Sequence, residues 1–148
     1  MNIIVVDDHL FATTAADTLL ARLPAGTPRL GVATGGTPTR LYAELARRSA
    51  AGDIDLSGAV VVALDEYVGL GAGDPHSYSA YVHDRIAGPL RIPSANVYVP
   101  QGDNGDPEVA AAEFEDRIQA LGGWMSRSPE SAPTVTWPST SPVRRPIR

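Results

Sequence analysis

The chain has 148 residues, of which 43% are apolar, and this is enough for one hydrophobic core of ordinary size. Its net charge of -5 argues against a nucleic-acid surface, because a phosphate backbone is attracted by concentrated positive charge. The sequence contains no cysteine, which excludes disulfides and thiolate zinc sites.

Short apolar segments alternate with amphipathic ones from residue 1 to about residue 121. This alternation predicts an α/β fold, a Rossmann-like parallel sheet with flanking helices. In chain order, the predicted elements are a strand at residues 3–6, a helix at about 10–23 capped by Asp8, a strand at 30–33, a helix that includes 41–46, a strand at 60–64, a helix at about 77–86, a strand at 96–99 and a helix at 107–121. The first apolar stretch ends at Asp7 and Asp8, too early for a signal peptide or a membrane span, so we expect a cytoplasmic protein.

The loop at residues 34–38 joins a predicted strand to a predicted helix and combines glycine with hydroxyl residues. Backbone N–H groups at a helix start are unpaired within the helix and lie at the positive end of its dipole, so they attract phosphate or carboxylate. Thr34, Gly35, Gly36 and Thr37 therefore predict an anion site. An ordinary tight turn explains the same residues equally well.

Asp65 and Glu66 directly follow the apolar strand at 60–64, at the edge where open α/β sheets bind their ligands. A carboxylate that is partly desolvated there has a pKa suited to a general base, and proton abstraction from carbon needs such a group. Asp65 is therefore the catalytic candidate, although an acidic pair can also cap the next segment or lie in solvent. Tyr67 and Tyr78 either cover a bound sugar or only pack against neighbouring side chains. No metal site is predicted, because no ligand spacing connects the histidines His9, His76 and His83.

Three motifs together resemble the N-terminal half of glucosamine-6-phosphate deaminase. They are residues 33–38 (Ala-Thr-Gly-Gly-Thr-Pro), residues 64–70 (Leu-Asp-Glu-Tyr-Val-Gly-Leu) and His76-Ser77-Tyr78. The resemblance covers about residues 1–123. The related 6-phosphogluconolactonases share the fold and the glycine loop but usually have arginine at the position of Tyr67, so the deaminase is favoured.

The resemblance implies conversion of glucosamine 6-phosphate to fructose 6-phosphate and ammonia, without a metal or an organic cofactor. Asp65 would be the base that moves a proton from C2 to C1. The implied substrate-binding residues are Thr34, Gly35, Gly36, Thr37, Glu66, Tyr67 and Tyr78, with the phosphate held by Gly35, Gly36 and Thr37. The implied partner is thus a phosphorylated amino sugar; oligomerisation of the full-length form stays open. Two other classes also remain: a hydrolase of a phosphorylated sugar lactone and a noncatalytic sugar-phosphate binding domain.

Residues 124–148 have no strand or helix periodicity and are rich in proline, serine, threonine and arginine, which is typical of a disordered tail. The family's ring-opening motif, Gly-x-Gly-x-x-Gly-His followed by Phe-Asn-Glu-Pro, is absent from the written chain. Reading the gene one nucleotide earlier from Gly123 allows this motif at the right distance. In that frame Trp124 and Met125 force Asp, and Trp137 followed by Pro138 forces Ala.

We therefore predict that residues 124–148 are an out-of-frame translation and that the fold is incomplete at its C-terminal side. Uncovered apolar faces and an open sheet edge favour aggregation. We expect the chain as written to fold poorly and to have negligible deaminase activity.

Overall fold

The structure is a computed structural model that describes residues 3–122. It consists of four α-helices, three strands and short helical turns among these residues. The elements are a 3-10 turn (Asp8–Leu10), α1 (Phe11–Leu20), β1 (Arg29–Val32), α2 (Gly36–Ala51), β2 (Val60–Ala63), α3 (Tyr78–Val82), a π-helical turn (His83–Ala87), a 3-10 turn (Ser94–Asn96), β3 (Val97–Tyr98) and α4 (Pro107–Ala120).

The described strands form one parallel sheet in the order β1-β2-β3. Arg29 pairs with Val60 at the start of β1, and Val61 pairs with Val97 in β3. Because all three strands point the same way, the loops that follow them meet at one edge of the sheet. The predicted α/β class with a parallel sheet and flanking helices is confirmed.

The core lies between the sheet and the helices α1, α2 and α3. Its largest fully buried apolar side chains are Leu45, Val61, Val82, Ile86 and Leu90. Side chains alternate along a strand, so Val62 and its partner Tyr98 point to the opposite face of the sheet. There the guanidinium of Arg117, from α4, lies 5.3 Å from the centre of the Tyr98 ring. Helices therefore contribute to both faces of the sheet.

The predicted strand at residues 3–6 is wrong. These residues form no strand, and no partner strand for them exists between residues 3 and 122. Ile3 and Val5 are 75% and 88% exposed. An apolar, β-branched segment has strand propensity, but it becomes a strand only where another backbone pairs with it.

The first helix also begins differently from the prediction. Asp8 does not cap it, because this residue lies inside the 3-10 turn and its carboxylate binds Arg40 at 2.8 Å. The helix α1 ends at Leu20, three residues before the predicted end at residue 23.

Two later elements are also shorter or less regular than predicted. The helix predicted at residues 77–86 changes to π-helical geometry after Val82, and the strand predicted at 96–99 contains only Val97 and Tyr98. The predicted tail at residues 124–148 lies outside the described residues. Within residues 3–122, no helix is both long and apolar enough to cross a membrane.

Ion pairs around Arg48 join α1 to α2. The guanidinium of Arg48 donates to Asp17 of α1 at 2.6 Å and to Glu44 at 2.7 Å, and Glu44 also accepts from Arg47 at 2.9 Å. The side chains of Glu44 and Arg48 are only 13% and 14% exposed, so water screens this pair less than a surface pair. The hydrogen bonds from Arg47 and Arg48 lower the pKa of Glu44 to about 2.

We expect Glu44→Gln to remove stability that depends on pH between about 4.5 and about 2. The pKa is lowered in the folded state, so the contribution of Glu44 is complete above the unfolded-state pKa and is lost as the pH falls through the folded-state pKa. Denaturant unfolding at a series of pH values measures this. The free energy of unfolding should differ most between the two proteins above pH 4.5 and converge toward pH 2. Glu115→Gln, at an exposed position of α4, is the control; a pH-independent difference for Glu44→Gln would contradict the prediction.

Candidate active site

The predicted site residues lie at the carboxyl ends of β1 and β2. The glycine loop follows β1, and the acidic turn, defined here as residues 65–70, follows β2. The strands β1 and β2 are parallel neighbours, which brings the two segments to the same sheet edge. The start of α3, with Tyr78 as its first residue, lies against the acidic turn through the contacts described below.

The glycine loop leaves the start of α2 open. Gly35 has φ 110° and ψ 179°, a conformation that other residues rarely adopt, and it precedes the helix without a side-chain cap. A methyl group added to Gly35 or Gly36 would meet no atom within 4 Å. Pro38, in the first helical turn, lacks an N–H group, as the sequence predicts for a helix start. Open space and uncapped N–H groups are what an anion requires here.

Three hydroxyl side chains that the sequence did not single out as site residues hold this loop. The hydroxyl of Tyr42 donates to the carbonyl oxygen of Ala33 at 2.8 Å and accepts from its N–H at 3.1 Å. Thr39 donates to the carbonyl oxygen of Gly35 at 2.7 Å and lies 2.9 Å from the hydroxyl of Tyr81. Burial raises the pKa of Tyr42 to about 12, so the hydroxyl keeps its proton. The sequence signal that could have identified Tyr42 is its place on the core face of α2, since a buried tyrosine hydroxyl usually has a hydrogen-bond partner.

Asp65 lies just beyond the end of β2 and is exposed, so a ligand can reach it. Desolvation by surrounding atoms raises the pKa of Asp65, and the negative charge of Glu66 raises it further. Both causes disfavour the carboxylate form. The direction of the shift is the one that brings an aspartate closer to the pKa of a useful general base.

Glu66 attaches the acidic turn to α3. One carboxylate oxygen accepts the N–H groups of Tyr67 and Tyr78, each at 2.8 Å, and the other accepts that of Ser79 at 2.9 Å. The donors Tyr78 and Ser79 belong to the first turn of α3, where N–H groups have no partner in the helix. In the structure, Glu66 positions the acidic turn against α3. A direct contact between Glu66 and substrate stays a prediction.

Tyr67 and Tyr78 connect the three predicted segments. Their ring centres are 4.6 Å apart, and Tyr78 donates a hydrogen bond to the hydroxyl of Tyr67 at 2.9 Å. The side chain of Thr34 also forms a hydrogen bond with Tyr78, and this bond lowers the pKa of Tyr78. The hydrogen bond to Tyr67, burial, and the charges of Tyr67 and Asp65 raise the pKa more strongly, so the pKa of Tyr78 is raised overall. Residues of the glycine loop, the acidic turn and α3 therefore form one site.

Within residues 3–122, the site contains an exposed carboxylate, hydroxyl groups and a helix start but no metal centre. No three histidine, aspartate or glutamate side chains in that range are grouped so that they could hold a metal ion. His76 is exposed in the turn before α3, where its backbone N–H donates to the carboxylate of Asp74 at 2.8 Å.

The sequence and the structure match known proteins of one family. The family model for glucosamine-6-phosphate isomerases and 6-phosphogluconolactonases matches residues 7–136. Glucosamine-6-phosphate deaminase 2 of Bacillus subtilis (strain 168) is 39% identical over 94 residues, which are 64% of this chain and 38% of the relative. The glucosamine-6-phosphate deaminase of Cutibacterium acnes is 39% identical over 122 residues, which are 82% of this chain and 47% of the relative.

A solved structure, that of a monomeric glucosamine-6-phosphate deaminase, superimposes with a TM-score of 0.77 at 28% identity. This match covers 83% of the present chain and 52% of the solved one. The chain therefore spans about half the length of the proteins it matches, or less.

We expect Glu66→Gln to weaken the attachment between the acidic turn and α3. The amide group presents a donor where the carboxylate has an acceptor, so at least one backbone N–H loses its partner, at a cost of about 1–3 kcal/mol. Denaturant unfolding should show this loss of stability. Glu108→Gln, at an exposed position of α4, is the control; equal stability of Glu66→Gln and the unchanged protein would contradict the assignment.

Proposed function

The chain belongs to the family of glucosamine-6-phosphate isomerases and 6-phosphogluconolactonases, and on that basis we propose that it carries the first half of a glucosamine-6-phosphate deaminase. The observation that carries the proposal is the position of Asp65. It lies exposed beside the hydroxyl pair of Tyr67 and Tyr78, at the sheet edge where the glycine loop begins α2. The relatives described above, which bear the deaminase name, support the choice of reaction.

The phosphate of the sugar binds at the start of α2 in this proposal. The open space around Gly35 and Gly36 lets a phosphate approach the N–H groups, and the helix dipole favours its charge. The hydroxyl of Thr37 is available at the same helix start, and Thr34 links the loop to Tyr78.

Asp65 acts as the base on the open-chain sugar. It removes the proton from C2 and returns it to C1, which converts the aldose into a ketose skeleton. A proton also passes from the C2 amine to the C1 oxygen, so that C2 becomes an imine carbon. Water adds to this imine and ammonia leaves, so that glucosamine 6-phosphate and water yield fructose 6-phosphate and ammonia. The raised pKa of Asp65 increases its basicity for this transfer, and Tyr67 and Tyr78 cover the sugar. The proposed reaction requires no metal or organic cofactor.

Ring opening needs a further group that the written chain does not supply. We assign it to the histidine and acids of the motif that appears when the frame is shifted at Gly123. The family match ends at residue 136, beyond Gly123, and so does not itself mark the frame change. In this proposal residues 1–123 carry the base and the phosphate site, and the shifted frame carries the ring-opening group.

The frame hypothesis is tested at the level of the gene. Resequencing the genomic DNA across the codons for Ile118 to Glu130 should reveal one extra or one missing base relative to the sequence that encodes this chain. If the written frame is confirmed, the chain lacks the ring-opening group and should release no ammonia from glucosamine 6-phosphate.

The catalytic assignment is tested in the frame-restored protein. We expect Asp65→Asn to lower kcat about 100-fold or more, the usual range for removal of a general base. Ammonia release from glucosamine 6-phosphate measures it, with 6-phosphogluconolactone as the alternative substrate. Asp53→Asn is the control, because Asp53 follows the opposite end of α2.

The pH profile adds a check on the same base. A raised pKa keeps Asp65 protonated to higher pH, so activity should fall on the acid side at a pH above the ordinary aspartate pKa. Full deaminase activity of Asp65→Asn, or hydrolysis of the lactone alone, would refute the proposal.

A further inference from the structure

The loop between β3 and α4 lies directly against the acidic turn, although it contributes no residue to the predicted site. The N–H of Gly69 donates a hydrogen bond to the carbonyl oxygen of Gly102 at 2.7 Å. Gly69 has φ 94°, so the turn is sharp at this residue and a bond here fixes its orientation. The acidic turn is thus attached to a second strand connection as well as to α3.

Gly102 has no room for a side chain. A methyl group on its Cα would overlap the carbonyl oxygen of Tyr67 and would lie 2.5 Å from that of Leu70 and 3.1 Å from Cγ of Glu66. Two of these atoms belong to the backbone of the acidic turn and cannot move unless the turn moves. Gly102 itself is not among the residues with positive φ, so the requirement for glycine comes from close approach and not from backbone conformation.

The loop that carries Gly102 is itself fixed to α4. Asn104 donates to the carboxylate of Glu113 at 3.0 Å, and Asp106 caps the helix by accepting from the N–H of Glu108 at 2.9 Å. The loop is therefore attached to α4 through the bond between Asn104 and Glu113. The loop also lies close to Gly71, the residue after the acidic turn, because a methyl group on Gly71 would lie 2.6 Å from Oδ2 of Asp103.

We propose that Gly102 is a positioning residue, which holds the acidic turn so that Asp65 projects into the site. Glu66 attaches the turn to α3, and Gly102 supports the backbone of residues 67–70 from the β3–α4 loop. Asp65 precedes both attachment points, so its direction depends on both. The effect of this support on catalysis rests on the proposed function, but the contact between Gly102 and the acidic turn does not.

Gly102→Ala tests the proposal, and Gly73→Ala is the matched control. A methyl group on Gly73 would meet no atom within 4 Å, and its φ is not positive, so the same change is harmless there. Hydrogen exchange of the frame-restored protein, followed by mass spectrometry of its peptides, should show faster exchange in Gly102→Ala for a peptide that covers residues 64–70. Peptides from β1 and α2 should exchange as in the unchanged chain, and Gly73→Ala should change neither.

A second readout reports on Asp65 and not on folding. Burial and the charge of Glu66 raise the pKa of Asp65, and the hydroxyl of Tyr78 also lies close to it. If Gly102→Ala displaces the turn, the pKa of Asp65 should move down toward its ordinary value, as measured by carboxyl NMR with labelled aspartate. In Gly73→Ala the pKa should stay raised.

Three results would overturn the proposal. The first is unchanged exchange at residues 64–70 together with an unchanged pKa of Asp65 in Gly102→Ala. The second is an equal loss of protection in every peptide, which would make Gly102 a general requirement for folding. The third needs no variant: rapid exchange of the Gly69 N–H in the frame-restored protein without substitution would show that its bond to Gly102 is not maintained. None of these readouts depends on catalysis, so the proposed function can fail while this inference stands.

Discussion

The three hydrogen bonds to the carboxylate of Glu66 are the interaction on which the rest of the site depends. Two of them join the turn after β2 to the first turn of α3, and the third lies within the turn. The two segments follow each other in the chain but have no regular backbone pairing. A charged acceptor at a helix start is favoured both by direct bonds and by the helix dipole. The same bonds bring Tyr78 to Tyr67 and so create the hydroxyl pair beside Asp65.

Position and acidity are coupled at this site because Glu66 acts on both. Its negative charge is held in place by the N–H groups of Tyr67, Tyr78 and Ser79, and it is one of the two causes that raise the pKa of Asp65. A base with a raised pKa must nevertheless stay reachable by a substrate. Asp65, the proposed base, meets both requirements, since it is exposed while the carboxylate of Glu66 is held by backbone N–H groups.

The sequence predicted those features that depend on local patterns. The strands β1 and β2 and the helix α4 are within one residue of the predicted ends, because apolar runs and caps define them. The strand at residues 3–6 failed because strand formation needs a partner backbone. The acidic pair was predicted to lie at the ligand-binding edge of the sheet, and the parallel pairing of β1 and β2 brings the glycine loop to the same edge. Long-range contacts were not predictable: Tyr81 meets Thr39 across 42 positions, and Gly102 is needed only because residues 67–70 approach it.

Within residues 3–122, the contacts that shape Asp65 come from the acidic turn, α3, the glycine loop and the β3–α4 loop. Glu66, Tyr67 and Tyr78 surround it, Thr34 reaches it through Tyr78, and the β3–α4 loop supports its turn. None of these residues lies after Gly123, so the proposed change of reading frame alters none of the described residues that contact Asp65. It removes the group proposed to open the sugar ring. Because the two groups are proposed to act at different steps, one does not replace the other, and the base alone would depend on the small amount of open-chain sugar that forms without catalysis.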